Sequence, residues 1–135
     1  ALLGSEEIAS PIIEIFIGGW KNTKSAIRFN QTKPDKAEEA TPDIVSPDEY
    51  RRFWIRFSDH VIKVGQQDEA VPFLVWENDE PFEITHYAFA TAWGSSGSWI
   101  FDEGINIPRI IRKFRIQGLS NIFRGTAVKP VFVVV

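Results

Sequence analysis

The sequence of 135 residues suffices for one domain with its own hydrophobic core, and its 44% apolar and 13% aromatic residues exclude a disordered chain. Cysteine is absent, which excludes disulfides, thiol catalysis and thiolate metal sites. With a net charge of −3 we expect no nucleic-acid partner, and no apolar run approaches the roughly 20 residues of a membrane-spanning helix.

Charge is distributed unevenly along the chain. All eighteen Asp and Glu residues lie at or before Glu103 together with nine Lys and Arg residues, so this part carries −9. The tail, residues 104–135, carries six basic residues and no acidic ones, a charge of +6. We expect this basic tail to pack on the acidic body or to meet an acidic partner.

The first residue is Ala1, and the sequence contains no Met. We expect a processing step, either removal of an initiator Met or cleavage of a signal peptide. The triplet Asn30-Gln31-Thr32 is an N-glycosylation acceptor, which matters only on the secretory route and leaves open whether Asn30 carries sugar. We expect secretion, with a cytoplasmic location as the alternative.

The first elements in chain order are a predicted hairpin and a loop. Residues 1–10 lack a pattern, and we expect them to be loosely held. The segment from Pro11 to Gly19 is rich in β-branched residues, and Lys24 to Asn30 alternates, which together predict two paired strands. The segment from Gln31 to Glu49 contains three prolines and predicts a long loop at a sheet edge, with a single strand pair at Ile44-Val45.

The next strand follows Tyr50. Alternation there directs Phe53, Ile55 and Phe57 inward and Arg52, Trp54 and Arg56 outward. The outer face would present an aromatic ring between two guanidinium groups. A Ser58-Asp59-His60 turn, a strand from Val61 and another from Val71 then follow.

Residues 85–102, THYAFATAWGSSGSWIFD, predict a second hairpin. Alternating residues from His86 form one strand, Gly94 to Gly97 supply the turn, and an apolar run restarts at Ser98. Residues 107–117 fit a helix as well as a strand, and both alternatives remain open. The last strand, Val131 to Val135, must pair within the fold or with another subunit.

About eight short strands with turn residues between them are typical of an all-β protein. We predict a single domain, residues 1–135, folded as an antiparallel β-sandwich of the jelly-roll kind. One short C-terminal helix is added if 107–117 is helical. The sequence does not show the alternation of strand and helix patterns that βαβ units have.

Three motifs together resemble the domain named after farnesoic acid O-methyltransferase, over about residues 12–101. They are Gly18-Gly19-Trp20 followed by Asn22 and Thr23-Lys24, then Phe53-Trp54 before Asp59 and Val61-Ile62, and the Trp93-Gly94, Gly97 and Trp99 turn. The family name implies methyl transfer to a terpenoid acid. The presence of similar domains in large extracellular proteins implies a recognition role.

The residues themselves favour binding over catalysis. A cofactor-binding glycine loop for S-adenosylmethionine usually precedes a helix in a parallel sheet, whereas Gly18-Gly19 lies in a hairpin. Ser58, Asp59 and His60 are adjacent, and triad members converge from separate elements. We expect no enzyme activity, no cofactor and no metal, although Asp79-Glu80 and Asp102-Glu103 are the candidates for calcium.

Five tryptophans are many for this length, and those near loops are candidates for stacking on a sugar. The alternative is that Trp93 and Trp99 pack across the hairpin as structural rings. The predicted ligand-binding residues are Trp20, Asn22, Lys24, Trp54, Asp59, His60, Trp93, Ser96, Trp99 and Asp102.

We expect a carbohydrate-binding, lectin-like module that forms homo-oligomers, because repetition strengthens a weak sugar site. One alternative is a carrier that holds a small apolar, terpenoid-like ligand between the sheets. The other is a protein-interaction or assembly module that uses the tail and its last strand, with membrane-surface binding by the tail as a variant.

Overall fold

A computed structural model describes residues 2–4, 11–92, 100–102, 112–116, 119–126 and 131–134, with side chains for 2–4 and 11–91. The elements are almost all strands, as predicted, with one short helical turn, α1 (Gly19–Asn22). The strands are β1 (Leu2–Gly4), β2 (Ile12–Gly18), β3 (Lys24–Phe29), β4 (Thr32–Ala40), β5 (Arg52–Ser58), β6 (Val61–Gln66), β7 (Leu74–Glu77), β8 (His86–Ala92), β9 (Ile100–Asp102), β10 (Arg112–Ile116), β11 (Leu119–Thr126) and β12 (Val131–Val134).

These strands form two sheets with antiparallel pairing. Seven strands lie in the order β10-β11-β8-β1-β2-β3-β4, and five in the order β7-β6-β5-β12-β9. Alternate side chains of both sheets meet in one hydrophobic cluster, which holds Ile15 and Ile27 from the larger sheet and Ile55 and Val64 from the smaller one. Packing of two apolar sheet faces defines a β-sandwich, and the predicted fold class is confirmed.

The predicted hairpin of β2 and β3 is confirmed, since Ile15 lies opposite Ile27 in an antiparallel register. The second predicted hairpin is wrong. Strand β8 pairs with β1 and β11 in the larger sheet, whereas β9 pairs with β12 in the smaller one. A glycine-serine segment between two strands permits a crossing between sheets as readily as a tight reversal, so turn composition did not decide between them.

The segment predicted as a loop contains a nine-residue strand. Strand β4 pairs with β3 through most of its length and forms one edge of the larger sheet. Its Pro34 is tolerated because an edge strand leaves one row of backbone groups unpaired. The edge position was predicted correctly, whereas the strand was missed, and Ile44-Val45 lies outside any strand.

Both ends of the chain take part in the sheets. Leu2 and Leu3 are buried, so the expectation of a loose N-terminal segment is wrong for β1. Strands β10 and β11 extend the larger sheet, and β12 is inserted between β5 and β9. The final strand therefore pairs within the fold, one of its two predicted alternatives, and 112–116 is strand, while 104–111 lies outside the described residues.

Candidate functional site

The connection between β2 and β3 has an unusual backbone. Gly18 has a φ of 65°, and three residues after Gly19 are also left-handed: Trp20 at 50°, Lys21 at 61° and Asn22 at 63°. Left-handed conformations cost L-residues about 1–2 kcal/mol each, and asparagine adopts them most readily. A row of three persists only where the surrounding contacts stabilise it.

The Asn22 side chain supplies the main restraint. Its Nδ2 donates a hydrogen bond to the Val45 carbonyl oxygen at 2.7 Å, and its Oδ1 accepts one from the Val45 N–H at 3.1 Å. The Asn22 carbonyl oxygen also accepts a bond from the Asp43 N–H at 2.8 Å. The amide predicted to bind a ligand is therefore engaged with the 43–45 loop, where it fixes the turn.

Two hydroxyls strengthen the base of this turn. Ser25 Oγ accepts a hydrogen bond from the Gly18 N–H at 3.2 Å and lies 2.7 Å from Thr41 Oγ1 in a buried pair. The Thr23 hydroxyl donates to the Trp20 carbonyl oxygen at 2.8 Å. The turn is thus tied to both its strand and the neighbouring loop, which restrains the backbone that carries its exposed ring.

Trp20 carries that ring, and the residue is 41% exposed. The Lys24 Nζ lies 4.1 Å from the centroid of its ring, within the range of a cation–π interaction. The centroid of the Phe16 ring lies 5.5 Å from the centroid of the Trp20 ring, and the angle between the two ring planes is 60°. Lys24 also forms an ion pair with Glu38 on the edge strand, so charged groups and an aromatic surface lie side by side.

A second group of charges continues this surface on the outer side of β2, β3 and β4. Arg28 donates to Asp35 Oδ1 from Nε at 2.8 Å, and its guanidinium carbon lies 4.9 Å from the ring centroid of Phe16. Glu14 Oε2 is 3.9 Å from Arg28 Nη1. Burial raises the pKa of Glu14, although the positive charge of Arg28 opposes the rise. We call Trp20 with Phe16, Lys24, Arg28 and Glu38 the Trp20 surface.

Trp54 is on the outward side of its strand, as predicted, but its ring is covered and is not presented for stacking on a ligand. It lies on the outer face of β5 but is only 3% exposed. Its indole packs against Gly65 on β6, and its Nε1 donates to the Glu69 carbonyl oxygen at 3.2 Å. Alternation identified the face correctly, whereas the contacts with Gly65 and Glu69 that bury the ring could not be inferred from the sequence.

Asp59 and His60 are distant from the Trp20 surface. Both are exposed and left-handed at the two-residue turn between β5 and β6. Arg51, just before β5, donates to the carbonyl oxygen of Asp43 beside the Asn22 turn. Since β5 then runs seven residues away, the Asp59 turn is about 20 Å from that end.

The other predicted ligand residues fall in a different part of the chain. Trp93, Ser96 and Trp99 lie outside the described residues. Asp102 ends β9, where its backbone is in register with Phe132 of β12, which lies opposite Trp54. Of the predicted set, the structure brings together Trp20, Asn22 and Lys24.

Several residues of the Trp20 surface were missed. Phe16, Arg28 and Glu38 come from three neighbouring strands, and each was assigned only to a strand or a loop. The alternation of β2 and β3 places Phe16 and Arg28 on the outer face, which was the available signal. Glu38 could not be found that way because β4 was predicted to be a loop.

Neither a metal cluster nor a membrane helix is found among the described residues. No group of three or more His, Cys, Asp or Glu side chains in residues 2–4 and 11–91 is arranged to hold an ion. Within the part of the chain that the structure covers, no helix is long and apolar enough to cross a membrane. Among those residues, Asp79 and Glu80 therefore belong to no group of three potential metal ligands.

Comparison with known proteins gives one match. The profile of the family described as farnesoic acid O-methyl transferase matches residues 1–105. No curated protein and no solved structure matches the chain. The matched region includes the β2–β3 turn, the Trp20 surface and strands β5 to β9. More than three quarters of the sequence is covered, and the chain belongs to the farnesoic acid O-methyl transferase family.

Proposed function

We propose that this chain is a non-catalytic module that binds carbohydrate at the Trp20 surface. The observation that carries the proposal is a large ring, 41% exposed, on a turn fixed by hydrogen bonds to two neighbouring segments. Tryptophan is usually buried, so an exposed tryptophan on a restrained turn favours a role in ligand binding. A sugar offers an apolar C–H face to stack on such a ring.

The groups around the ring suit the hydroxyls of a sugar. Lys24 supplies donors, and Glu38 supplies acceptors, with exposed side-chain fractions of 27% and 48%. Their ion pair leaves each with further hydrogen-bonding capacity. Because the turn is already restrained, little ordering of the backbone is required on binding, which favours affinity for a shallow site.

The fold gives a reason to favour binding over methyl transfer, despite the family name. S-adenosylmethionine is usually held by a glycine loop between a parallel strand and a helix. In the described part of this chain, Gly18 and Gly19 lie between antiparallel strands and lead into a left-handed turn. We therefore assign the glycines to the presentation of Trp20. Formation of methyl farnesoate from farnesoic acid and S-adenosylmethionine by purified protein would contradict this assignment.

A surface site is also favoured over a cavity for a terpenoid. The described interior between the sheets is occupied by interlocking side chains, among them Phe29 and Trp76 with ring centroids 5.8 Å apart and the Tyr87–Phe89 pair at 5.5 Å. All four are less than 9% exposed. An internal ligand would have to displace packed rings.

We also propose that the module is secreted and acts as a homo-oligomer. A single shallow sugar site binds weakly, and repetition of the site raises the strength of attachment. Analytical ultracentrifugation tests the oligomer directly. A monomer at all accessible concentrations would contradict it and leave the site proposal intact.

Binding to an immobilised glycan array tests the site. We expect at least one class of uncharged glycan to be retained by the wild-type protein and lost by Trp20→Ala. Tyr50→Ala is the matched control, because Tyr50 is an exposed aromatic residue, 54% accessible, outside the Trp20 surface. Retention of no glycan, or equal retention by both variants, would overturn the proposal.

A further inference from the structure

The outer face of the five-stranded sheet carries a group of exposed cations. Alternation along β5 places Arg52 and Arg56 outward, and along β6 it places Lys63 outward, while Phe53 and Ile55 between the arginines are fully buried. All three cationic side chains are exposed. We call Arg52, Arg56 and Lys63 the basic face.

Charge on this face is not neutralised within the described part of the chain. Arg56 lies directly opposite Lys63 in the antiparallel register, a like-charge arrangement that disfavours the pair. No carboxylate of residues 2–4 or 11–91 lies within ion-pair distance of the three cations, whereas Lys24, Arg28 and Arg51 elsewhere each have at least one. Glu77 is on the same side of β7 and lies opposite Val61, so it is a diagonal neighbour of Lys63 and not its direct partner.

The buried Trp54 holds one of these cations in place. The guanidinium carbon of Arg56 lies 4.5 Å from the centroid of the indole, and the indole is fixed by its packing on Gly65 and its hydrogen bond to Glu69. A cation–π contact orients the guanidinium, and no carboxylate among residues 2–4 and 11–91 forms an ion pair with it.

We propose that the basic face binds a sulfated or carboxylated polysaccharide. Arg52 and Arg56 are four residues apart, about 13 Å along the strand, and Arg56 is about 5 Å from Lys63 across the strands. A linear anionic polysaccharide carries charges at regular intervals and lies flat on a sheet face. Arginine donates to sulfate or carboxylate through two parallel N–H groups, so it suits this ligand.

Charge favours a polysaccharide strand over an anionic membrane. The whole chain carries −3, so a planar anionic surface would meet the acidic remainder of the domain as well as the basic face. A single polysaccharide strand contacts a strip, and exposed charges further than about 8 Å away are largely screened at physiological salt. The buried Trp54 also has no ring available for insertion into a bilayer.

The basic face is separate from the Trp20 surface, because the two lie on the outer sides of different sheets. This inference does not depend on the proposed function. The test is binding of heparin oligosaccharides to the full chain by titration calorimetry at several salt concentrations. The test variant is Arg56→Gln/Lys63→Gln, and the control is Lys33→Gln, an exposed lysine on β4.

We expect wild-type binding that weakens with salt, an approximately tenfold loss and a shallower salt dependence in the double variant, and no loss beyond about twofold in the control. Unchanged affinity in the double variant, equal loss in the control, or no wild-type binding at low salt would each overturn the proposal. Binding to phosphatidylserine vesicles but not to heparin would overturn it in favour of a membrane. Trp20→Ala is expected to bind heparin as the wild type does, which separates this site from the first.

Discussion

Asn22→Ala tests the restraint on the turn that presents Trp20. The substitution removes both hydrogen bonds to Val45, each worth about 0.5–1.5 kcal/mol net. It also places alanine at a φ of 63°, where asparagine is better tolerated, at a further cost of about 1 kcal/mol. We expect the free energy of unfolding to fall by about 2–4 kcal/mol, measured by urea denaturation.

Asn22→Gly separates the two contributions. Glycine also lacks the amide but adopts the left-handed conformation without strain, so we expect a loss about 1 kcal/mol smaller than that of alanine. Both variants should weaken glycan binding, because the turn loses its link to the 43–45 loop. A loss below about 0.5 kcal/mol for Asn22→Ala, or equal losses for the two variants, would refute the idea that the turn is held by this side chain against backbone strain.

Three further substitutions test other parts of the structure. Gly65→Ala would drive a Cβ into the indole of Trp54, and we expect thermal unfolding to show a loss of about 1–3 kcal/mol or more; unchanged stability would mean that the ring lies elsewhere. Leu3→Ala should cost about 2–5 kcal/mol in urea denaturation because Leu3 is 1% exposed, whereas a neutral effect would argue against β1 as part of the sheet. Burial raises the pKa of Glu14 above its unfolded value of 4.5. The protonated carboxyl therefore contributes its full stabilisation to the fold below that value, and this contribution is lost as pH rises through the folded pKa. Wild type should therefore lose stability relative to Glu14→Gln as pH rises from the acid side to neutrality, and parallel stability profiles would contradict the shift.

The elements that sequence alone predicted best are those with strict alternation. Ile15 and Ile27 belong to short strands with one apolar face, and their hairpin was predicted because the intervening Gly18-Gly19 marks a reversal. The two faces of β5 were also assigned correctly. Periodicity specifies which side of a sheet a residue occupies, and this information is local.

The failures concern properties that depend on distant segments. Pro34 argued against a strand, because proline cannot donate a hydrogen bond to a neighbouring strand. Strand β4 tolerates it because β4 is at the edge of the sheet, where one row of backbone groups is unpaired. Leu2 and Leu3 form too short a run to be recognised, and β2 and β8 on either side define their strand. The partner of β8 could not be inferred from the glycine-serine segment that follows it.

The candidate site was only partly predictable for the same reason. Trp20 and Lys24 were selected because they flank a turn, and they do lie together. The role of Asn22 depends on Val45, more than twenty residues further along the chain, and no sequence pattern links the two. The burial of Trp54 depends on the loop at Glu69 and on Gly65. Both lie outside the strand of Trp54, and no local sequence pattern links them to it.

Titration calorimetry with an uncharged glycan retained on the array tests the central claim most directly. The account predicts one binding site per chain for the wild-type protein and for Tyr50→Ala. It predicts that Trp20→Ala remains folded but shows no measurable heat of binding, because the exposed ring provides the stacking surface. Binding of the same glycan by Trp20→Ala with unchanged affinity would contradict the account.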